Sequence, residues 1–154
     1  MSGKRVVAPA GLGEPIGPFV RGIAAGGLVA ISGTSALSHL SGPANERVLV
    51  PDFEAQARQT FANLETSLDA VGLGWKHAVQ MTVILTRRED CAAFDSIRAE
   101  ALRGTLATST VAIAGLLRAE MLIEIDLWAV EPGGGVIVGG GVIAGEAERA
   151  GVAP

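Results

Sequence analysis

Residues 121–130 read Met-Leu-Ile-Glu-Ile-Asp-Leu-Trp-Ala-Val, an apolar, β-branched run interrupted by two carboxylates two residues apart. Read as a strand, its period of two puts Glu124, Asp126 and Trp128 on one face and Ile123, Ile125, Leu127 and Ala129 on the other. The second face belongs to a core. The first carries acid where a half-buried strand ordinarily carries Thr or Val. A carboxylate shielded beside a cleft keeps its proton to higher pH and can act as a proton acceptor near neutrality. A solvated face is the plainer reading of a lone Glu on a strand, so its neighbours decide the matter.

Upstream of that run, Phe53, Ala57, Phe61, Leu64, Leu68 and Val71 recur at spacings of three or four, while Glu54, Arg58, Glu65 and Asp69 fall elsewhere. This pattern predicts an amphipathic helix over about 52–71, with Asp52 as N-cap and Gly72 at its C-terminal end. A second helix is expected over about 89–103, burying Phe94, Ile97 and Ala101. Strands are expected at 20–25, 28–32, 78–86, 108–114 and 121–130, with 6–8 as a short edge strand. The order makes an α+β sandwich of two helices against one mixed sheet. Two helices cover only one face of such a sheet. A homo-oligomer that closes three sheets around a central axis would cover the other.

Size and composition limit the alternatives. With 154 residues and 49% hydrophobic content, the chain suffices for one domain with a real core and not for two. Only Gly72, Gly74, Gly104 and Gly115 fall between Pro51 and Val130, whereas the segment after Val130 is dense in glycine. The body is therefore expected to span 1–131, followed by a Gly-rich tail, 132–154, that is either disordered or packed on a neighbouring subunit. A net charge of −4 argues against nucleic acid or an anionic membrane as partner. The single cysteine, Cys91, allows no intrachain disulfide, which suits a reducing cytoplasm. No stretch approaches the roughly 20 apolar residues of a membrane span, and the N-terminus lacks the long apolar segment of a signal peptide.

Other chemistries find little footing. His39, His77 and Cys91 fall short of a zinc site, so no metal is implied. The glycines form neither phosphate-binding pattern, and Gly33-Thr34-Ser35-Ala36-Leu37 lacks the last glycine of a nucleophile elbow.

A set of short motifs carries a more specific signal. These are Ile16-Gly17-Pro18-Phe19, Val29-Ala30-Ile31-Ser32-Gly33, Gln56 to Leu64 (QARQTFANL), Thr82-Val83-Ile84-Leu85, Ser109-Thr110-Val111 and Ile123-Glu124-Ile125. Together, over roughly 15–130, they resemble the Rid/YjgF family of reactive-intermediate (enamine/imine) deaminases. The resemblance implies a chorismate-mutase-like fold, a homotrimer with clefts between subunits, a small imine or enamine substrate and no cofactor. It makes Glu124 the general base or water-positioning group. Ser32 and Gly33 would line the pocket, Phe19 stands where the family usually has Tyr, and Asp95 stands where Asn is common. Thr110 joins the substrate-binding set. The stretch Ser32 to Ala36 also resembles the corresponding part of 2-aminomuconate deaminases.

One departure bears on substrate. Deaminating members carry an arginine ahead of the Ser-Thr pair that grips the substrate carboxylate, and here Thr108 occupies its place. Losing one partner of a desolvated ion pair costs about 2–5 kcal/mol. The pattern therefore implies a less charged ligand, or a carboxylate held elsewhere. Arg98, one turn past Phe94, is the first candidate for that role and Arg118 a weaker one. Two functions follow: a trimeric imine or enamine hydrolase (or a relative promoting tautomerisation or cyclisation) using Glu124, and a non-catalytic trimer that binds a small metabolite or regulates a partner.

Overall fold

In a computed structural model, which describes residues 3–105, 107–133, 136–138 and 141–143, the 121–130 run supplies one of the two central strands of the sheet. Strands β1 (Arg5–Val7), β2 (Gly22–Ala25), β3 (Leu28–Thr34), β4 (Ala78–Leu85), β5 (Thr108–Ile113) and β6 (Ile123–Val130) lie in the order β1-β2-β3-β6-β4-β5. All neighbours are antiparallel except β4 and β5, which run parallel, so the sheet is mixed. Helices α1 (Phe53–Asp69) and α2 (Cys91–Leu102) pack on one face. The expected α+β class and helix count hold.

The period of two in β6 is expressed fully. Ile123, Ile125, Leu127 and Ala129 are buried among Val29, Ile31, Met81, Val83 and Leu85 from the adjoining strands and Phe61, Leu64, Leu68 and Phe94 from the helices. Phe61 tilts against Trp75 and stacks near Phe94, joining the helices in one apolar layer. A slip of one residue in β6 would carry four apolar side chains out of that layer, so the register is strongly specified.

The caps follow from local chemistry. The Asp52 carboxylate accepts a hydrogen bond from Ala55 N at 2.8 Å. At the other end of α1, Gly72 adopts φ +75, which lets Leu73 N reach Leu68 O and Gly72 N reach Asp69 O, both at 3.0 Å. That pair of bonds satisfies two terminal carbonyls and turns Leu73 back onto Leu68. Helix α2 begins later than its apolar pattern suggests, because Arg88–Asp90 form a 3-10 turn before it. Strand β6 also begins two residues late, because Met121 and Leu122 belong to a loop held by Gln56. Strand β3 runs two residues beyond the expected end, through an irregularity described below.

Beyond the body, Val136–Val138 (β7) pairs antiparallel with Gly141–Ile143 (β8). The expectation of a disordered or docked tail falls mainly outside the described residues. No described helix is long and apolar enough to cross a membrane.

Gln56 links the helical layer to the loops above the sheet. Its amide nitrogen donates to Val50 O and Glu120 O, and its amide oxygen accepts from Leu122 N, all at 2.9 Å. Gln56→Leu preserves apolar volume but strands three backbone groups, so it is expected to cost about 2–4 kcal/mol, read as a lower urea midpoint. An unchanged midpoint would mean that water replaces all three bonds.

Candidate functional site

Pairing between β3 and β6 runs Ile31 to Leu127 and then Thr34 to Ile125, so Ser32 and Gly33 together oppose Asp126 alone. The extra residue makes a bulge, which bends β3 and re-aims its side chains. Thr34 Oγ1 donates to Ser32 O at 2.8 Å, and Ser32 Oγ lies 3.1 Å from both Val20 O and Arg21 O. The bulge is thus tied on both sides, and the Ser32 hydroxyl is engaged by the backbone.

Gly33 faces Glu124. A Cβ at position 33 would stand 2.8 Å from Glu124 Oε1 and 2.9 Å from its Cδ, too close to fit without moving the carboxylate. Glu124 is half-buried, and among the described residues no protein group donates a hydrogen bond to it. Loss of hydration raises its pKa above the usual carboxylate range, with a smaller push from the Asp126 charge. Asp126 is raised as well, by burial.

Glu124 and Gly33 open onto a cavity of about 320 Å³ whose lining includes the apolar groups Ile16, Leu37 and Met121, with Phe19 and Leu117 among its more exposed members. The 3-10 turn Ala36–His39 forms one wall. Its entry is fixed by α1, since Asn63 Nδ2 donates to Ser35 O at 2.9 Å, and the Ser35 side chain caps the turn by accepting from Leu37 N.

The same cavity is lined by two cations that the sequence did not single out, Arg21 and Arg47, only 7% and 4% exposed. Arg21 Nη1 donates to Ser38 Oγ at 2.9 Å and its Nη2 to Gly13 O at 2.7 Å, with Glu14 O and Ser38 O each at 3.4 Å. Arg47 Nε donates to Gly42 O at 3.1 Å and its Nη2 to Glu14 O at 2.8 Å. Every acceptor is neutral. Among the described residues neither guanidinium has a carboxylate within 4.0 Å, and Arg21 Nε and Arg47 Nη1 have no partner at all. Burial, and then the neighbouring Arg47 charge, push Arg21 below its ordinary pKa.

Two features hold the arginine pair in place. Gly13 passes so close to Leu40 that a Cβ there would lie 2.0 Å from Leu40 O, so only glycine brings the Gly13 and Glu14 carbonyls into reach. Arg118 Nη1 donates to Ala44 O at 2.8 Å and Arg47 O at 2.9 Å, clamping the turn that carries Arg47. Arg118 is thus engaged by the loop, and it does not border the cavity.

The remaining sequence-derived candidates lie elsewhere in the chain. Phe19, Ser32, Gly33 and Glu124 share the cavity, whereas Asp95, Arg98, Thr108 and Thr110 do not border it. Arg98 donates to Ser109 Oγ at 3.0 Å, pairs with Asp95 at 3.1 Å and lies over the Phe94 ring. Thr108 Oγ1 donates to Val79 O at 2.9 Å. Thr110 stands opposite Thr82 on the open side of the sheet. Among the described residues no cluster of three His, Cys, Asp or Glu side chains is placed to hold a metal.

The family model described as Endoribonuclease L-PSP matches residues 11–131. The RutC family protein slr0709 of Synechocystis is 32% identical over 131 residues, covering 83% of this chain and 97% of that protein. A Pseudomonas aeruginosa protein of unknown function superposes with a TM-score of 0.71 at 29% identity, over 84% of this chain and 94% of its own. YyfA of Yersinia pestis, a protein of the conserved Rid family, does so with a TM-score of 0.73 at 24% identity, over 83% and 99%.

The raised pKa of Glu124 has a consequence for stability. Its folded value lies above the unfolded one, so its contribution is fully present below the unfolded pKa and is lost as pH rises through the folded value. Glu124→Gln is therefore expected to be more stable than wild type at pH 7, with the difference shrinking below about pH 4. Urea unfolding at both pH values checks this, and an equal difference at the two would place the carboxylate in ordinary water. Gly33→Ala is expected to move the carboxylate and shift that pH dependence while leaving the sheet folded.

Proposed function

The chain belongs to the Endoribonuclease L-PSP family, the Rid/YjgF proteins, and from that membership and the surroundings of Glu124 we propose that it hydrolyses a small imine or enamine to a carbonyl compound and ammonia. The observation that carries this reading is a half-buried carboxylate of raised pKa, without a protein donor, on the wall of a cavity of small-molecule size. The carbon of a protonated imine is already electrophilic. Catalysis then needs a held substrate, a placed water and a proton acceptor.

In this mechanism the water oxygen bonds to the imine carbon as one of its protons passes to Glu124, giving a neutral carbinolamine. The carbon–nitrogen bond then breaks. The proton on Glu124 and the carbinolamine hydroxyl proton both end on the departing nitrogen, which leaves as ammonium, and the carboxylate is regenerated. The raised pKa suits both halves, since the group must accept a proton and then return it near neutral pH. A cavity of about 320 Å³ and a net charge of −4 favour a small molecule over a nucleic acid. The lone thiol, Cys91, suits a cytoplasmic setting.

The active form in this reading is a homotrimer with its clefts between neighbours. The sheet face away from the helices exposes Trp128, and the edge strand β5 leaves Val111 and Ile113 uncovered. A free strand edge with exposed apolar side chains is what a second copy would cover. Asp95, Arg98, Thr108 and Thr110, remote from the cavity within one chain, would then reach it from the adjoining subunit.

An imine generated in the assay by an amino-acid oxidase, with its disappearance followed by trapping, tests the chemistry. Wild type should accelerate decay, and Glu124→Gln should lower the rate about 10²–10⁴-fold. Sedimentation should give three times 15.7 kDa for both proteins. Decay at the buffer rate with wild type and variant alike would leave the non-catalytic binder instead.

A further inference from the structure

Arg21 and Arg47 are buried cations that form no ion pair among the described residues, and the Glu14 charge raises the Arg21 pKa by less than burial and Arg47 lower it. Bringing a guanidinium out of water is costly unless an opposite charge compensates it, and unpaired buried arginines are rare for that reason. Here two lie side by side, because both Nη2 atoms reach toward the same Glu14 carbonyl oxygen. Neutral carbonyls and the Ser38 hydroxyl occupy part of their donor capacity, and one nitrogen on each, Arg21 Nε and Arg47 Nη1, is closed to solvent and has no partner. Both border the cavity that Glu124 borders. The cavity is therefore polarised, with positive charge supplied by two guanidiniums and negative charge by one carboxylate.

We propose that Arg21 and Arg47 form a carboxylate-binding subsite, so that the ligand of this cavity carries an anionic group held by the two guanidiniums while its reactive carbon faces Glu124. This deepens the hydrolase reading and rests on it for the identity of the ligand as an imino or enamino acid. A planar carboxylate suits a pair of guanidiniums. Its two oxygens can each take one of two donors from different arginines, and guanidinium groups prefer such paired, planar acceptors. The subsite would also answer the absence of arginine at position 108. The counter-charge for the substrate would come from the turns at Arg21 and Arg47, whereas Arg98 is occupied by Ser109 and Asp95.

Calorimetric titration of the intact protein with pyruvate, with its uncharged amide pyruvamide, and with inorganic phosphate tests the subsite directly. Wild type should bind pyruvate about thirtyfold or more tightly than pyruvamide, and more tightly than phosphate. Arg47→Met should abolish that preference, Arg47→Lys should keep part of it, and Arg21→Gln should behave as Arg47→Met where it folds. Thermal unfolding gives a readout that a merely structural arginine would not move. Pyruvate should raise the midpoint of wild type but not of Arg47→Met, whatever the variant's own midpoint.

Pyruvate and pyruvamide binding alike, absence of pyruvate binding, tighter binding of phosphate, or retention of the preference by folded Arg47→Met would each overturn the proposal. The two readings fail separately. Arginine-dependent pyruvate binding together with imine decay at the buffer rate for wild type and Glu124→Gln alike sinks the hydrolase and keeps the subsite. Glu124-dependent turnover without any preference for charged ligands does the reverse.

Discussion

One extra residue in β3 governs the site. Because Ser32 and Gly33 share a single partner across the strand pair, the chain bends away from β6 just where Glu124 projects, and the missing side chain of Gly33 leaves room for the carboxylate. A regular ladder would set a side chain against that carboxylate or carry β3 across its approach. The bulge can persist because the opposite face of β6 is locked in the core by Ile123, Ile125, Leu127 and Ala129. Rigidity on one face permits irregularity on the other.

The cavity beside the bulge includes charged groups that lack a charged partner among the described residues. Glu124 is a carboxylate whose burial raises its pKa, and Arg21 and Arg47 are cations facing neutral acceptors. Polar groups left short of partners in a low-dielectric pocket cost stability, and they persist where the surrounding structure holds them in place. The restraints here are specific. Asn63 fixes the turn at Ser35, Gln56 fixes the loop through Glu120 and Leu122, and Arg118 clamps the turn that carries Arg47. Asn63 and Gln56 are polar residues buried on the helix that the apolar pattern had marked only as a packing element.

Much of the fold was legible because it rests on short-range periodicity. The strand at 121–130, both helices, the Asp52 cap and the Gly72 turn depend on residues within a few positions of one another. The late start of β6 and the bulge were not legible, since each depends on a contact with a distant segment. The same divide runs through the site. Phe19, Ser32, Gly33 and Glu124 were named through family motifs, and they line one cavity. Arg21 and Arg47 escaped notice because a lone arginine in a turn looks like a solvated one. Their significance arises only when the turns containing Gly13, Ser38 and Arg47 meet. An Arg followed by a strand at 21 and another after a short Pro-initiated turn at 47 offer no periodic signal. Asp95, Arg98, Thr108 and Thr110 were grouped with the cavity by motif alone, and within one chain they lie apart from it.

The position of positive charge constrains which ligand orientation the cavity can accept. A cation on β5 would hold an anionic group from across the open face of the sheet. Cations at positions 21 and 47 hold it from within the Glu124 cavity itself, bounded by the apolar groups Ile16, Leu37 and Met121. In such a pocket the guanidiniums act at low dielectric, so their pull on an anion is stronger than at an exposed strand edge. The same environment strengthens the repulsion between a ligand's anionic end and Glu124. A ligand therefore gains from reaching both ends of the cavity only if the charge it carries toward Glu124 is neutral or positive, as in a protonated imine. Opposed charges across one small apolar space select for a molecule with a matching internal polarity.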